Sequence, residues 1–140
     1  MKLPTDGGTP VQISESNGFA PRISPDGKLI AYSYSREGQT GVIVHIIPSG
    51  GGKPLKTFTL PSFTDALIRW TYDGMGFSYI DTRQGVSNIW IQLLDGSTPK
   101  QVTKFTSDRI ATHDWSPDGK ILAVTRTSST SDVLLMTAER

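Results

Sequence analysis

One turn motif returns three times at a near-constant interval, and nothing else in the sequence restricts the fold as much. The fullest copy is Trp115-Ser116-Pro117-Asp118-Gly119-Lys120-Ile121-Leu122-Ala123. The first copy is Ile23-Ser24-Pro25-Asp26-Gly27-Lys28-Leu29-Ile30-Ala31, and the middle one is Trp70-Thr71-Tyr72-Asp73-Gly74-Met75-Gly76-Phe77-Ser78. The turn aspartates Asp26, Asp73 and Asp118 are 47 and 45 residues apart. A second element keeps the period: Pro10, Pro54 and Pro99 follow glycine-rich or Asp-Gly turns at steps of 44 and 45 residues. Self-similarity at such a period marks a repeat architecture.

The motif has a physical reading. Proline presets the backbone at the second position of a type I turn, and aspartate accepts bonds from nearby amides. Glycine (Gly27, Gly74, Gly119) takes the left-handed conformation that then joins two antiparallel strands. In the middle copy Tyr72 replaces proline, and the closing Asp73-Gly74 pair remains. β-prone runs flank each turn. Residues 19–24, 28–35, 40–47 and 54–60 make one four-strand unit. Residues 66–70, 76–82, 87–93 and 101–105 make the next, and 110–115, 120–127 and 132–136 make three strands of a third. Residues 11–13 read as an isolated fourth strand.

These runs predict an all-β chain, a β-propeller with three four-stranded blades per chain. Residues 1–14 supply the outer strand of a staggered blade, 19–60 and 63–105 are complete blades, and 108–140 hold the staggered blade's other strands. Propellers take roughly four to eight blades. The expectation is therefore half of a six-bladed ring completed by a second chain, or a part of a longer propeller. In the homodimer, Val11 to Ile13 of one chain lies beside Asp132 to Met136 of the other. A third reading is an engineered or truncated fragment whose only activity is self-assembly. Ile23, Trp70 and Trp115, each three places before a turn aspartate, are expected to fill the wedges between blades as core residues. Trp90, in a third strand, is expected to join them.

Composition agrees with a turn-rich β protein. Of 140 residues, 36% are hydrophobic and 19% charged, with 14 glycines and nine prolines. The net charge of +1 gives no reason to expect nucleic acid or an anionic membrane as partner. The absence of cysteine excludes disulfides and thiolate chemistry and leaves the compartment open, periplasmic or cytoplasmic. No run is long and apolar enough to span a membrane as a helix. The first residues hold no apolar targeting segment, although a signal in a longer parent chain is compatible with this.

Chemical signals are sparse. His45 and His113 have no repeated ligand spacing around them, and His113 reads as a packed histidine. Ser128-Ser129-Thr130 reads as a polar loop and Gly50-Gly51-Gly52 as a flexible turn. No nucleophile elbow, phosphate loop or zinc pattern is present. Hence no enzyme, metal or cofactor is expected. The candidate binding residues are Arg22, Arg69 and Asp114, which share one repeat position four places before the turn aspartates. Asp65, Asp108 and Arg109 stand near the entrances to the same strands. In a propeller that region borders the channel mouth, where mixed charge suits a protein, a peptide or a polar ligand. Pairing across blades for structural reasons is the alternative. Arg36 and Arg83 recur in outer hairpins and read as solvated.

Ser-Pro-Asp-Gly-Lys, an apolar strand, an Arg-containing turn and a later Asp-Gly-Gly or Asp-Gly-Ser turn resemble the WD-repeat-like propeller family of the bacterial Tol-system periplasmic protein. The stretches Ile68-Arg69-Trp70 to Asn88-Ile89-Trp90, and Asp114 to Lys120, resemble more narrowly the C-terminal propellers attached to bacterial serine/threonine kinases or winged-helix regulators. The resemblance spans nearly the whole chain and implies a non-enzymatic sensing or protein-interaction role, often in the envelope. A propeller accessory to a separate kinase or serine hydrolase domain is the alternative. The family pattern is broken at Tyr72 and at His113.

Overall fold

The computed structural model describes residues 1–15, 18–35, 38, 41–61 and 68–128, and in it the three turns close on one set of hydrogen bonds. In the first, the Gly27 amide donates to the Ser24 carbonyl at 2.9 Å. The Ser24 hydroxyl donates to the Asp26 carboxylate at 2.6 Å and accepts from the Leu29 amide at 2.9 Å. The Lys28 amide donates to the same carboxylate oxygen at 3.1 Å. Thr71 with Asp73, and Ser116 with Asp118, repeat each of these bonds to within 0.1 Å. Gly27, Gly74 and Gly119 sit at φ of +73°, +69° and +69°, where a side chain would be strained. The hydroxyl, and then the backbone amide, hold Asp26, Asp73 and Asp118 below the ordinary carboxylate pKa.

The strands fold back from these turns. β1 (Phe19–Ile23), β2 (Leu29–Tyr34), β3 (Val42–Pro48) and β4 (Lys56–Leu60) form an antiparallel sheet in that order. β5 (Arg69–Trp70), β6 (Gly76–Arg83), β7 (Val86–Leu93) and β8 (Lys100–Gln101) form a second. β9 (Arg109–Trp115) pairs with β10 (Leu122–Thr127) as the inner part of a third. This is an all-β, partial propeller. β8 is shorter than the run 101–105 because a side chain replaces its ladder. The Asn88 amide oxygen accepts from the Thr103 hydroxyl at 2.9 Å and from the Phe105 amide at 2.7 Å. Residues 66 and 67 of the expected strand 66–70 and all of 132–136 lie outside the described residues, as do Arg36 and Asp65.

Residues 11–13 do not form the expected strand. Val11 makes only a bridge to Lys2. That bridge joins the same repeat positions as Ile46↔Lys56 in the first blade and Ile91↔Lys100 in the second. The N-terminal arm therefore stands where a blade's outer two strands would, with this one bridge among the described residues.

Alternation along each second strand gives a blade two unlike faces. Ile30 and Tyr32, Phe77 and Tyr79, and Leu122 and Val124 point back toward the preceding blade; Ala31, Ser78 and Ala123 point forward. Leu60 and Val44 of the first blade are buried against Trp70, Phe77 and Tyr79 of the second, with Phe58 edge-on to Phe77 at 5.4 Å. Ile80 and Ile89 of the second are buried with Ile110 of the third, flanked by Phe105, Leu122 and Val124. Ile30, Tyr32 and Ile47 are covered by Ile13 of the arm.

The wedge positions split. Trp70 is buried and its indole N–H donates to the Arg22 carbonyl of the first blade at 2.9 Å. Trp115 is half-buried and donates to the Ser78 hydroxyl of the second at 2.9 Å. Ile23, expected in the core, is 66% exposed. The reason is directional: each wedge residue reaches backward, and no described blade precedes the first. Trp90 is also only half-buried, beneath the Arg83 guanidinium at 5.0 Å, because it sits in a third strand near the rim. In urea titrations Trp70→Ala is expected to destabilise the chain by about 3–5 kcal/mol. Ile23→Ala is expected to cost less than about 0.5 kcal/mol. Equal costs would contradict the backward-reaching wedge.

Candidate functional site

The turn geometry fixes where the site lies. Arg22, Arg69 and Asp114 each precede the turn aspartate by four places, so the three blades carry them at one radial depth. They line a cleft of about 320 Å³ whose walls include Pro25, Tyr72 and Pro117. These walls are the residues just before the turn aspartates. Pro25 packs toward Gly74, and the Tyr72 ring lies over Gly119, so each turn leans on the glycine of the next. From sequence Pro25, Tyr72 and Pro117 read only as turn residues and the turn hydroxyls were not singled out, although both recur at a fixed offset from the aspartates.

Charge in the cleft is unbalanced. Arg69 Nε lies 3.4 Å from the Asp114 carboxylate. The Arg69 side chain is 20% exposed and that of Asp114 74%. The same carboxylate oxygen accepts from the Trp115 amide at 2.9 Å. Arg69 and Arg22 also donate to the Ile68 and Pro21 carbonyls, at 3.1 and 3.4 Å. Desolvation, and then the nearby Arg22, lower the Arg69 pKa, and Asp114 opposes them. Two guanidiniums thus line the cleft, and only Arg69 is paired there, with a largely solvated carboxylate, which favours an incoming anion.

The structure does not bring Asp108 and Arg109 to this cleft. They lie at the opposite end of β9, Asp108 just before it and Arg109 five residues and roughly 17 Å from Asp114. Asp108, in the left-handed region at φ +65°, pairs with Arg126 at 3.0 Å. Arg126 also covers the Phe105 ring at 4.2 Å and donates to the Ser107 carbonyl at 2.7 Å. The pair ties the loop before β9 to β10. Arg109 is exposed.

Beneath the cleft is a buried polar knot. Ser78 Oγ lies 2.8 Å from His113 Nε2, accepts from Trp115 Nε1 at 2.9 Å and donates to the Arg69 carbonyl at 3.3 Å. A hydroxyl with those two other bonds is completed by an Nε2–H donor. His113 Nδ1 is then a buried lone pair, and it has no partner among the described residues. The Ser–His distance suits a nucleophile–base pair. However, Ser78 is wholly buried, and among the described residues no carboxylate stands behind the imidazole to orient it. Among the described residues no group of three or more His, Asp or Glu stands where it would hold a metal.

His113 makes stability pH-dependent. Burial, and then the positive charge of Arg69, push its pKa down to about 4 from the ordinary 6.5, with Asp114 acting the other way. Between those values the unfolded chain binds the extra proton. Stability is thus full above about pH 6.5 and falls as the pH drops toward 4, by about 3 kcal/mol. Half-buried His45 shifts in the same direction by desolvation, and the turn aspartates act only at lower pH. Denaturation midpoints measured from pH 7 to pH 4 should show this fall, and His113→Phe should remove most of it.

Comparison with known proteins agrees with the fold. A sequence model of the prolyl oligopeptidase N-terminal β-propeller domain matches residues 17–139. An uncharacterized protein of Agrobacterium fabrum is 36% identical over 99 residues, 70% of this chain and 32% of that protein. The structure of a TolB-like protein from Agrobacterium tumefaciens superposes with a TM-score of 0.56 at 29% identity, covering 78% of this chain and 40% of the other. TolB from Acinetobacter baumannii gives 0.63 at 27% identity, covering 83% and 28%. A prolyl endopeptidase shares the fold at a TM-score of 0.57 and 22% identity, covering 79% of this chain and 18% of the other. The chain thus spans about a third of the length of its curated relative. The chain belongs to the prolyl oligopeptidase N-terminal β-propeller domain family.

Proposed function

We propose that the chain is an interaction module that binds a protein or peptide segment in the cleft between Arg22, Arg69 and Asp114, through a carboxylate of the bound segment. The observation that carries this reading is two nearby guanidiniums, Arg22 without a carboxylate partner among the described residues and Arg69 paired with one that is 74% exposed, beside a wall of proline and tyrosine. A carboxylate docks on the guanidiniums, and apolar side chains lie against Pro25, Tyr72 and Pro117. The likeness to TolB structures supports such a role, and a bacterial envelope location goes with it.

A second reading, a propeller accessory to a separate hydrolase domain, is favoured by the family match itself. The kinase- and regulator-attached propellers that the sequence resembles have no counterpart among the relatives described above. A hydrolase screen separates the two readings, since turnover that tracks the pure chain would favour the second.

The direct test is calorimetry with the peptide Ala-Pro-Ala-Glu against Ala-Pro-Ala-Gln-amide. The acidic peptide is expected to bind more tightly. Arg69→Glu should weaken it by about tenfold or more, as expected for losing a charged hydrogen bond, with an unchanged thermal midpoint. Equal binding by a folded Arg69→Glu variant would remove this surface from consideration.

A further inference from the structure

Three contacts recur wherever one described blade meets the next. An indole reaches back, Trp70 to the Arg22 carbonyl and Trp115 to Ser78, each at 2.9 Å. A turn residue covers the next turn's glycine, Pro25 toward Gly74 and Tyr72 over Gly119. Arg69 of the second blade meets Asp114 of the third at 3.4 Å.

The two outer ends carry the unmatched halves of these contacts. On the leading side Ile23 is 66% exposed, Gly27 has open space around it, and the Arg22 guanidinium reaches only the Pro21 carbonyl, at 3.4 Å. On the trailing side Ala123 and Pro117 are exposed and the Asp114 carboxylate is largely solvated. The outer part of the leading face is already covered. Ile13 packs on Ile30, Tyr32 and Ile47, and its carbonyl accepts from the Gly52 amide at 3.3 Å. Phe58 and Leu60 cover the second blade in the same way. What the leading face lacks is the inner strands of a preceding blade, and β9 and β10 are inner strands.

We propose that the trailing face of a second copy of this chain docks on the leading face, and that the reciprocal contact closes a two-fold ring of six blades. The charges select this occupant. In the ring Asp114 of one copy lies between its own Arg69 and Arg22 of the second copy, so the partner contributes a residue to the charged cleft. Ile23 of one copy then faces Ala123 of the other, and Pro117 covers Gly27. A heterologous contact that closes after two steps leaves no open face. The closure does not depend on what the cleft binds.

The chain lacks cysteine, so engineered pairs report cleanly. Light scattering of the 140-residue chain is expected to give the mass of two chains, and Ala123→Trp, which blocks the trailing face, the mass of one. Oxidising the double variant Pro117→Cys/Gly27→Cys at micromolar concentration should yield a covalent dimer on non-reducing gels, and neither single variant should. Ile23→Cys/Ala123→Cys serves as a second pair should cysteine at Gly27 disturb the turn. A one-chain mass for the unaltered protein would overturn the proposal and leave these faces to further blades of a longer parent. A two-chain mass with neither pair cross-linking would overturn it in favour of another interface, and larger open assemblies would show that the contact does not close.

Discussion

A small four-stranded sheet has two apolar faces and cannot bury both by itself, and this requirement organises the molecule. The chain meets it by making the faces unlike. Large residues such as Phe77 and Tyr79 point back, and a small residue, Ala31 or Ser78, leaves room for the next blade's wedge. Tryptophan suits the wedge because it fills volume and carries an N–H that must find an acceptor once buried. Trp70 and Trp115 find theirs on the preceding blade. Ile23 holds the corresponding place without a described blade behind it, and it has no polar atom left unsatisfied by exposure.

The turns and the period were legible in the sequence because they express backbone constraints. Asp-Gly at fixed spacing reports a left-handed glycine whatever surrounds it, and the structure repeats the bonds almost atom for atom. The grouping of Arg22, Arg69 and Asp114 was legible for the same reason: one repeat position is one radial depth. Burial was less so. Ile23, Trp70 and Trp115 are equivalent in register, yet their exposure depends on which blade stands behind them, which register does not contain. Asp108 and Arg109 are near Asp114 in sequence and far in space, since a strand carries five residues to the opposite rim. The Asn88 bonds that replace the second blade's outer ladder leave no periodic trace.

The Ser78–His113 contact shows why distance alone does not define chemistry. At 2.8 Å the pair has the spacing of a nucleophile and its base. Its surroundings oppose that role: Trp115 donates to the hydroxyl, burial lowers the imidazole's pKa, and no carboxylate among the described residues meets Nδ1. The pair is better understood as the polar pin of a wedge. It gives the Trp115 N–H an acceptor and joins β5, β6 and β9 at one oxygen. A structural pin of this kind fits a chain that belongs to a propeller family and has no catalytic constellation among its described residues.

The pin also separates packing from recognition at the cleft. Asp114 takes part in both, pairing with Arg69 across the blade boundary and lining the open surface. An ion pair at 3.4 Å with one partner 74% exposed contributes at most about 1 kcal/mol. In the proposed binding mode a ligand carboxylate would therefore displace Asp114 from Arg69 at small cost, while the indole and imidazole bonds below keep the blades in place. Arg22, which has only a long bond to a neighbouring carbonyl, loses still less. The weak outer pair can exchange because the buried contacts beneath it do not. On this basis the residues that join the blades at the surface are the ones suited to bind.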